Sequence, residues 1–553
     1  MTQIFLSFCI LFCSFLGRTQ YSIDPTFHGN GSNEYLGAPG NVVNGQQIAY
    51  DAANSVYVAG RWNDQLCVWK YLQSGELDPS FGINGMASIP MPSGVWTLVK
   101  DLEVMPDGRI VVLADALLFY SPNIDYSQCS ITVARFLPDG NPDSSFNGVG
   151  ILLTNPQNGY EYMSRCLTLS PTDGSIYVGG YAAAYGHYGC ASAQTDIYGW
   201  FALKLLQNGT YDLSFANTGY LQRSSAEIAQ TSFVPNTYNS SILDIKVLPD
   251  EKILMAGAFN HQDYGYFSLR VLANGSYDNS YANNGRSAIH DPSIYFTTNE
   301  SSSALIFSDE QIVYVAQYTI FGLNGIPDTT HAYIYKLDAA GQPASNFGNN
   351  GQLLLTEYTG QFAYIEDAHQ RLIFNWYGRL TPTTQEVGFR RLLSNGQADL
   401  NFGTAGRFTD QPIANDVFLN SGTLNDLAFN ADQTDLSNVS LRSASYVPTT
   451  FRVLNYHVDT SLQDAGVAYD QQQNKARIFP NPANERLQVV AEAGTQVCIR
   501  TALGEVCWSG TMQTQHEEFS FPTELPAGIY WLDLRYENGG HELHKLILNS
   551  CLY

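Results

Sequence analysis

The chain is poor in charged residues, and most of the charges that it has are negative. Charged residues make up 14% of the 553 positions, below the quarter that is usual in globular proteins. Lys and Arg together number 27, and the formal net charge is −24. Because such a surface repels a phosphate backbone, we expect no nucleic-acid partner. Solubility outside the cell is one interpretation of the acidity, and cation binding is the other.

Long hydrophobic segments are also lacking. The single apolar run, Ile4–Leu16, is too short to span a bilayer and is typical of a signal-peptide core, although no Lys or Arg precedes it. We therefore expect residues 1–20 to be a signal peptide. We also expect no transmembrane span, and a mature chain that is exported.

Cysteines are few and irregularly spaced. Loss of Cys9 and Cys13 with the signal peptide leaves seven, and an odd number does not indicate a disulfide framework. Cys498 and Cys507 flank a turn in one predicted hairpin and could form a bridge. The sequence lacks CxxC pairs, His-rich clusters and the GxSxG and HExxH motifs, so we predict no metal ligand and no catalytic residue.

Repetition is what the chain has in abundance. An eleven-residue phrase, close to G-x-x-D-x-S-F-G-x-x-G, recurs at steps of 54 to 69 residues. The complete copies are Gly75–Gly85, Gly140–Gly150, Gly209–Gly219, Gly275–Gly285, Gly341–Gly351 and Gly396–Gly406, with a truncated copy at Ile23–Gly31 and a degraded one at Val458–Gly466. A fixed period of this kind is typical of solenoids, propellers and arrays.

Each repeat reads as four short strands. In one unit these are Leu243–Leu248, Ile253–Gly257, Tyr266–Leu272 and the RSAI segment after the turn. Four strands in about 60 residues are typical of a propeller blade. Seven first hairpins and eight turns leave a surplus half-copy, and we predict that Ile23–Leu36 adds the outer strand to a last blade formed by residues 425–456. The predicted fold is all-β, a seven-bladed β-propeller over residues 21–466, with six or eight blades left open.

The repeated turn residues are predicted to be structural. A basic residue stands eight positions before the turn Asp, which predicts an ion pair that ties the third strand to its own turn or to the next blade. The alternative is a ring of charge around a channel. The basic residues are Lys70, Arg135, Lys204, Arg270 and Arg391, with Lys336 at the same offset before Ala344. The predicted structural set is Asp78, Phe81, Asp143, Phe146, Asp212, Phe215, Asp278, Tyr281, Asp399 and Phe402.

The turn aromatics would fill the space between blades. The turn Asp, with Asn and Gly nearby, could instead hold Ca²⁺ through its oxygens. No other cofactor is predicted.

The turn, together with a V-x-P-D-G-[KR]-I hairpin, resembles the delta-60 repeat of bacterial β-propellers over Ile23–Gly466. The tail contains IFPNPAN, LPAGIYWLDL and HKLIL, and it resembles the C-terminal type A sorting domain of the type IX secretion system of Bacteroidetes. The matching residues are Pro480, Asn481, Pro482, Gly504, Gly528, Tyr530 and Lys545.

The stretch before the tail contains QQQ and lacks periodicity, so we predict a linker at 467–475. The alternating strands of the tail, together with the resemblance, predict a small β-sandwich sorting domain at 476–553. The resemblance also implies the type IX secretion machinery as a partner, and a location that is secreted or on the outer cell surface.

Function is expected in the irregular loops between second and third strands and in the links between blades, which share one face. They are rich in Tyr, Trp and Asn, which suits sugar stacking or protein contact. The candidate ligand contacts are Tyr185, His187, Tyr188, Trp200, Trp376 and Tyr377. We expect a binding or scaffold module for extracellular polysaccharide or protein. A polysaccharide lyase or hydrolase with its site on this face, and a structural surface protein without a small ligand, remain the alternatives.

Overall fold

The computed structural model divides the chain into two compact units, Met1–Leu462 and Gln463–Tyr553. It describes residues 21–548 except 31, 37–40, 93–94, 119–127, 157–159, 185–198, 225–238, 262, 291–301, 321–328, 359–362, 382–383, 401, 403–406, 410–412, 415–425, 443–449, 459–476, 480–485, 491–493, 501–505, 515, 521–527 and 536–540. The described residues are almost entirely strands and tight turns, with one short 3-10 helix and no α-helix.

The first unit is a succession of antiparallel sheets. The N-terminal segment contains β1 (Tyr21–Ile23), the 3-10 helix (Phe27–Gly29) and β2 (Ser32–Leu36). Sheet 1 contains β3 (Val43–Tyr50), β4 (Val56–Trp62), β5 (Gln65–Tyr71) and β6 (Met86–Pro90). Sheet 2 contains β7 (Val95–Val104), β8 (Ile110–Leu118), β9 (Gln128–Phe136) and β10 (Ile151–Thr154). Sheet 3 contains β11 (Tyr160–Leu169), β12 (Ile176–Ala184), β13 (Gly199–Leu205) and β14 (Tyr220–Ser224).

The succession continues to the end of the unit. Sheet 4 contains β15 (Asn239–Val247), β16 (Ile253–His261), β17 (Asp263–Val271) and β18 (Arg286–His290). Sheet 5 contains β19 (Ser302–Ile306), β20 (Ile312–Ile320), β21 (Thr329–Leu337) and β22 (Gln352–Tyr358). Sheet 6 contains β23 (Tyr364–Glu366), β24 (Leu372–Thr381), β25 (Thr384–Leu392), β26 (Arg407–Thr409) and β27 (Ile413–Ala414). Sheet 7 contains β28 (Asp426–Phe429), β29 (Asp435–Arg442) and β30 (Thr450–Val458), to which β1 and β2 add.

Neighbouring strands in each sheet are consecutive in the chain, apart from β27 and the N-terminal pair. The turns that join first to second and third to fourth strands therefore lie at one end of every sheet, here called the turn face. The loops that join second to third strands, and the links between sheets, lie at the other end, here called the loop face.

The second and third strands of the sheets are covered on both sides, which explains their continuous apolar runs. Ile253, Leu254 and Met255 follow one another in β16 and are each 0% exposed. Alternate side chains of such a strand pack against the preceding and the following sheet.

The hydrophobic core lies between consecutive sheets. Tyr57 and Leu66 of sheet 1 pack with Val112 of sheet 2, and comparable clusters join each sheet to the next as far as sheet 7. A further cluster joins Phe451 of sheet 7 to Trp69 of sheet 1. The first unit is therefore β-propeller-like, with its last sheet packed on its first.

The N-terminal segment pairs with the last sheet, as the surplus half-copy predicts. Tyr21 and Ile23 of β1 stand opposite Val458 and Tyr456. In β2, Ser32–Leu36 run antiparallel to the stretch from Leu454 back to Thr450. Because β30 is bonded on both sides, its edge is not left free for another chain.

The second unit contains two antiparallel sheets among its described residues. One contains β31 (Arg477–Phe479), β32 (Arg486–Val490) and β35 (His516–Ser520), and the other contains β33 (Gln496–Arg500), β34 (Val506–Thr511), β36 (Gly528–Arg535) and β37 (His541–Leu548). The bridge that Cys498 and Cys507 could have formed is absent, since both are free cysteines. The register of β33 and β34 sets Cys498 opposite Ser509, so the two sulfur atoms do not meet.

Candidate functional site

The repeated turn is organised around its Asp. In the copy at sheet 2, Asp143 Oδ2 accepts a hydrogen bond of 2.7 Å from Arg135 Nε. Its other oxygen, Oδ1, accepts from the Ser145 amide at 2.9 Å and from the Ser145 hydroxyl at 2.6 Å. The predicted ion pairs are present at the five complete copies that keep the Asp: Lys70–Asp78, Arg135–Asp143, Lys204–Asp212, Arg270–Asp278 and Arg391–Asp399.

The basic residue also reaches the next sheet. Arg135 donates to the Gln207 carbonyl of sheet 3, and Lys336 Nζ lies 3.4 Å from the Ser394 carbonyl of sheet 6. The guanidinium carbon of Arg135 lies 4.9 Å from the centroid of Phe146, its own turn aromatic. The cation is thus held between a carboxylate and an aromatic face, which stabilises it away from water.

These contacts bear on the two interpretations of the turn Asp. Asp78, Asp143 and Asp278 have both carboxylate oxygens occupied by hydroxyl, amide and cationic donors. A Ca²⁺ ion would have to displace these donors and repel the basic residue. Among the described residues, no group of three or more His, Cys, Asp or Glu side chains is arranged to hold a metal. The geometry therefore favours the structural role.

Each turn also docks onto its neighbour. In five copies of the turn, the residue after the turn aromatic has a positive φ and donates its amide to a carbonyl of the next sheet. These bonds are His28–Ser74, Gly82–Asp139, Asn147–Asn208, Ala216–Asn274 and Gly348–Asn395, with N–O distances of 2.6 to 2.9 Å. The first glycine of the next turn packs on that aromatic: a Cβ on Gly75 would lie 2.6 Å from the His28 nitrogen. We call this contact between successive turns the joint.

The N-terminal segment supplies the joint between sheets 7 and 1. Phe27 is fully buried against Gly75. Asp24 accepts from the Thr26 amide and hydroxyl, as the other turn aspartates do from Ser. Asn33 Nδ2 donates to the Gly75 carbonyl at 2.7 Å. The described residues 23–30 of the truncated copy therefore dock onto sheet 1 as the complete turns dock onto their neighbours.

A second set of aspartates links the first strands of consecutive sheets. Asp101 Oδ2 accepts from the Leu167 amide of the next sheet at 2.7 Å, and its Oδ1 accepts from its neighbour, Leu102. Asp244 bonds the Ile306 amide in the same way, and Asp426 bonds the Ile48 amide across the junction of sheets 7 and 1. Sequence reasoning missed these residues. Their only signal is an Asp just before the alternating run that leads to the first turn.

Burial is the largest influence on the pKa values of this second set of aspartates, and it raises them. It raises the pKa of Asp244 and of Asp426 to about 6, although two backbone amides bond each carboxylate. Burial raises the pKa of Glu103 to about 7, helped by the charge of Asp244. The turn aspartates behave oppositely: the Ser280 hydroxyl and the Arg270 guanidinium lower the pKa of Asp278 to about 2.

Only one predicted ligand contact has a described side chain, and it is not at the surface. Trp200 lies in β13, is 1% exposed and packs with Phe215 and Ile242 between sheets 3 and 4. It is a core residue, because its alternation in β13 points it at the next sheet. Tyr185, His187 and Tyr188 lie outside the described residues. Trp376 and Tyr377 lie in β24, with their side chains outside the description.

The loop face does present one described tryptophan that sequence reasoning missed. Trp96, at the start of β7, is 44% exposed, and the guanidinium carbon of Arg61 lies 3.5 Å from its ring centroid. The local sequence, GVWTLV, reads as a plain strand start, so only the structure distinguishes this residue.

In the second unit, Gly528 and Tyr530 lie in β36, and Lys545 lies in β37 opposite Trp531. Pro480, Asn481, Pro482 and Gly504 lie outside the described residues.

Two family models match the chain. One, described as a secretion system C-terminal sorting domain, matches residues 477–549. The other, a β-propeller domain of unknown function, matches residues 106–146. A comparison with curated proteins gave no match.

Solved structures resemble the chain only distantly. PorZ, an essential surface component of the type IX secretion system of Porphyromonas gingivalis, is 11% identical over 92% of this chain and 82% of its own, with a TM-score of 0.20. Drosophila Semaphorin 2a is 9% identical over 94% and 99%, with a TM-score of 0.36. An ulvan lyase is 9% identical over 77% and 96%, with a TM-score of 0.35. None of these likenesses bears on function.

The chain thus combines a β-propeller-like unit with a C-terminal sorting domain of the type IX secretion system. It is a secreted or cell-surface protein. Within the part of the chain that the structure describes, no helix has the length and apolarity to cross a membrane.

Proposed function

We propose that the protein is a seven-bladed propeller, delivered to the cell exterior by the type IX machinery, that binds extracellular polysaccharide or protein through its loop face. Residues 1–20 serve as the signal peptide, 21–466 form the propeller, 467–475 the linker and 476–553 a small sorting sandwich. The sheets numbered 1 to 7 are the blades. The protein works as a binding or scaffold module.

The observation that carries this proposal is the complete use of the repeated side chains in holding the sheets together. The turn Asp, its Ser and the basic residue before it bond one another, and the turn aromatic packs against the next sheet. A feature repeated at most joints supports the scaffold, so the residues that vary between blades are the ones that would contact a ligand. That variation is concentrated on the loop face.

Aromatic loop residues test the binding role. The intact protein, immobilised, is offered extracellular polysaccharides and cell-surface proteins. We expect retention of at least one of them, with at least a tenfold loss of affinity in Tyr185→Ala/Tyr188→Ala. Leu213→Ala serves as the control, because Leu213 is 66% exposed on the turn face.

Release of reducing ends or unsaturated products distinguishes an enzyme from a binding module. Turnover of a retained polysaccharide would replace the module by a lyase or hydrolase. Retention of nothing, with correct export, would favour a structural surface protein. Equal binding by the loop-face variant and the control would reject the loop face.

A further inference from the structure

The junction between sheets 1 and 2 carries an exposed aromatic side chain. Trp96 is 44% exposed, whereas Trp69 and Trp200 are buried. The first strands of sheets 1 to 4 share a bulge, which aligns them. The position of Trp96 relative to that bulge is held by Val42, Glu161 and Asn239 in the other three sheets. A side chain that changes from Val to Glu to Asn to Trp is not a structural constant.

Trp96 is nevertheless held in place. The Arg61 guanidinium carbon lies 3.5 Å from the indole centroid, and Arg61 itself is only 4% exposed. The backbone around the ring is fixed by bonds from the Val95 amide to the Pro92 carbonyl and from the Met91 amide to the Asp64 carbonyl. A ring that is already immobile loses little conformational entropy when a ligand stacks on it.

A carboxylate that can bond hydroxyls lies near the guanidinium that stacks on the ring. The exposed Asp64 lies in the hairpin between β4 and β5. Burial lowers the pKa of Arg61, and the charge of the Asp64 carboxylate acts in the opposite direction. The hairpin is itself tied down, since Asn63 Oδ1 accepts from the Val42 amide at 2.9 Å. A flat aromatic surface with a neighbouring carboxylate matches a sugar ring, which has an apolar C–H face and hydroxyls at its edge.

We propose that the exposed Trp96, backed by the Arg61 guanidinium, forms a subsite for a pyranose ring of a neutral extracellular polysaccharide. This inference rests on the proposed binding function and names its ligand class. The charges of the protein favour a neutral polymer over a charged one. The net charge of −24 repels polyanions, and the guanidinium behind the indole disfavours a cationic sugar in front of it.

Affinity electrophoresis of the intact protein tests the subsite against neutral glucans, mannans and xylans, with polygalacturonate and chitosan for comparison. We expect a neutral polymer to bind best and Trp96→Ala to weaken it at least ~10-fold. Trp96→Phe keeps a smaller ring and should lose less. Arg61→Lys keeps the charge without the planar stack and should fall between them. Ile83→Ala, at a side chain 77% exposed on the turn face, should bind as the wild type does.

Oxidation of wild-type protein by N-bromosuccinimide gives a readout independent of any variant. Peptide mapping should show Trp96 modified before the buried Trp69, and bound polysaccharide should slow its modification several-fold. Equal binding by wild type and Trp96→Ala, or no protection of Trp96, would reject the subsite while the loop-face function stands. Preference for a charged polymer, or binding of proteins only, would reject the ligand class. Retention of no ligand in this test and in that of the loop face would overturn both proposals.

Discussion

At the scale of single residues, the aspartates of the two sets have pKa values shifted in opposite directions, depending on burial and on the groups that bond each carboxylate. In the turns, a hydroxyl and a cation stabilise the ionised carboxylate, and the pKa of Asp278 falls to about 2. On the first strands, backbone amides bond the carboxylate and burial raises its pKa, to about 6 for Asp244 and Asp426. The two sets therefore respond to pH in opposite directions.

The first-strand set predicts that stability falls as pH rises from 5 to 7.5. A carboxyl whose pKa is higher in the folded state stabilises the fold below its unfolded pKa, near 4, and loses that contribution as pH rises through about 6. We expect Asp244→Asn/Asp426→Asn to flatten this slope, by on the order of 1 kcal/mol for each residue. Denaturant unfolding at several pH values measures it. An unchanged slope would contradict the assignment.

The contacts of the turn aspartates predict that two carboxylates near Arg109 contribute very differently to the free energy of unfolding. The Asp143 side chain is 5% exposed and pairs with Arg135, while that of Asp107 is 51% exposed and pairs with Arg109. Asp143→Ala leaves a buried guanidinium uncompensated and should cost about 3–5 kcal/mol. Asp107→Ala should cost less than about 1 kcal/mol. Chemical denaturation compares them, and equal losses would show that the turn pair is not sheltered.

At the scale of elements, the joint between successive turns is the unit that repeats. Two glycines distinguish the need for a positive φ from the need for space at the contact between turns: Gly148 shows the first alone, and Gly140 shows both. Both have positive φ, but a Cβ on Gly140 would lie 2.7 Å from the Gly82 nitrogen of sheet 1, whereas one on Gly148 meets nothing within 4 Å.

Alanine substitutions at these glycines test the joint. Gly148→Ala should cost about 1–2 kcal/mol, from backbone strain alone. Gly140→Ala should cost more, because it also pushes sheets 1 and 2 apart. The loss should appear in unfolding midpoints and in faster amide exchange at both sheets. A smaller loss for Gly140→Ala than for Gly148→Ala would contradict the joint.

The elements show what sequence could predict. The turn pairs were predictable because Asp143 and Arg135 are eight residues apart within one repeat. So was the N-terminal strand, because its half-copy has no other partner. Asp101 could not be assigned, since its acceptor role depends on an amide 66 residues away in the next sheet. Sequence reasoning takes Trp200 for a surface residue and places Cys498 within reach of Cys507. Both depend on what a strand residue faces, which could not be read from the sequence alone.

At the scale of the whole molecule, export and folding belong to different segments. The sorting domain at 477–549 directs secretion, while the cores of sheets 1 to 7 lie within the first unit. A chain lacking 477–549 should therefore accumulate inside the cell with an unfolding midpoint within a few degrees of the full-length protein. Cell fractionation and thermal melting measure the two properties. Normal secretion of the shortened chain would contradict the sorting role.

The central claim is that the N-terminal segment completes a closed succession of joints. The most direct measurement is hydrogen exchange of the full-length protein beside a variant lacking residues 21–36. Closure predicts that the amides of β30 that bond β1 and β2 lose protection, that β3 loosens with the loss of the Phe27 joint, and that sheet 3 stays protected. Identical exchange of β30 and β3 in both proteins would contradict it.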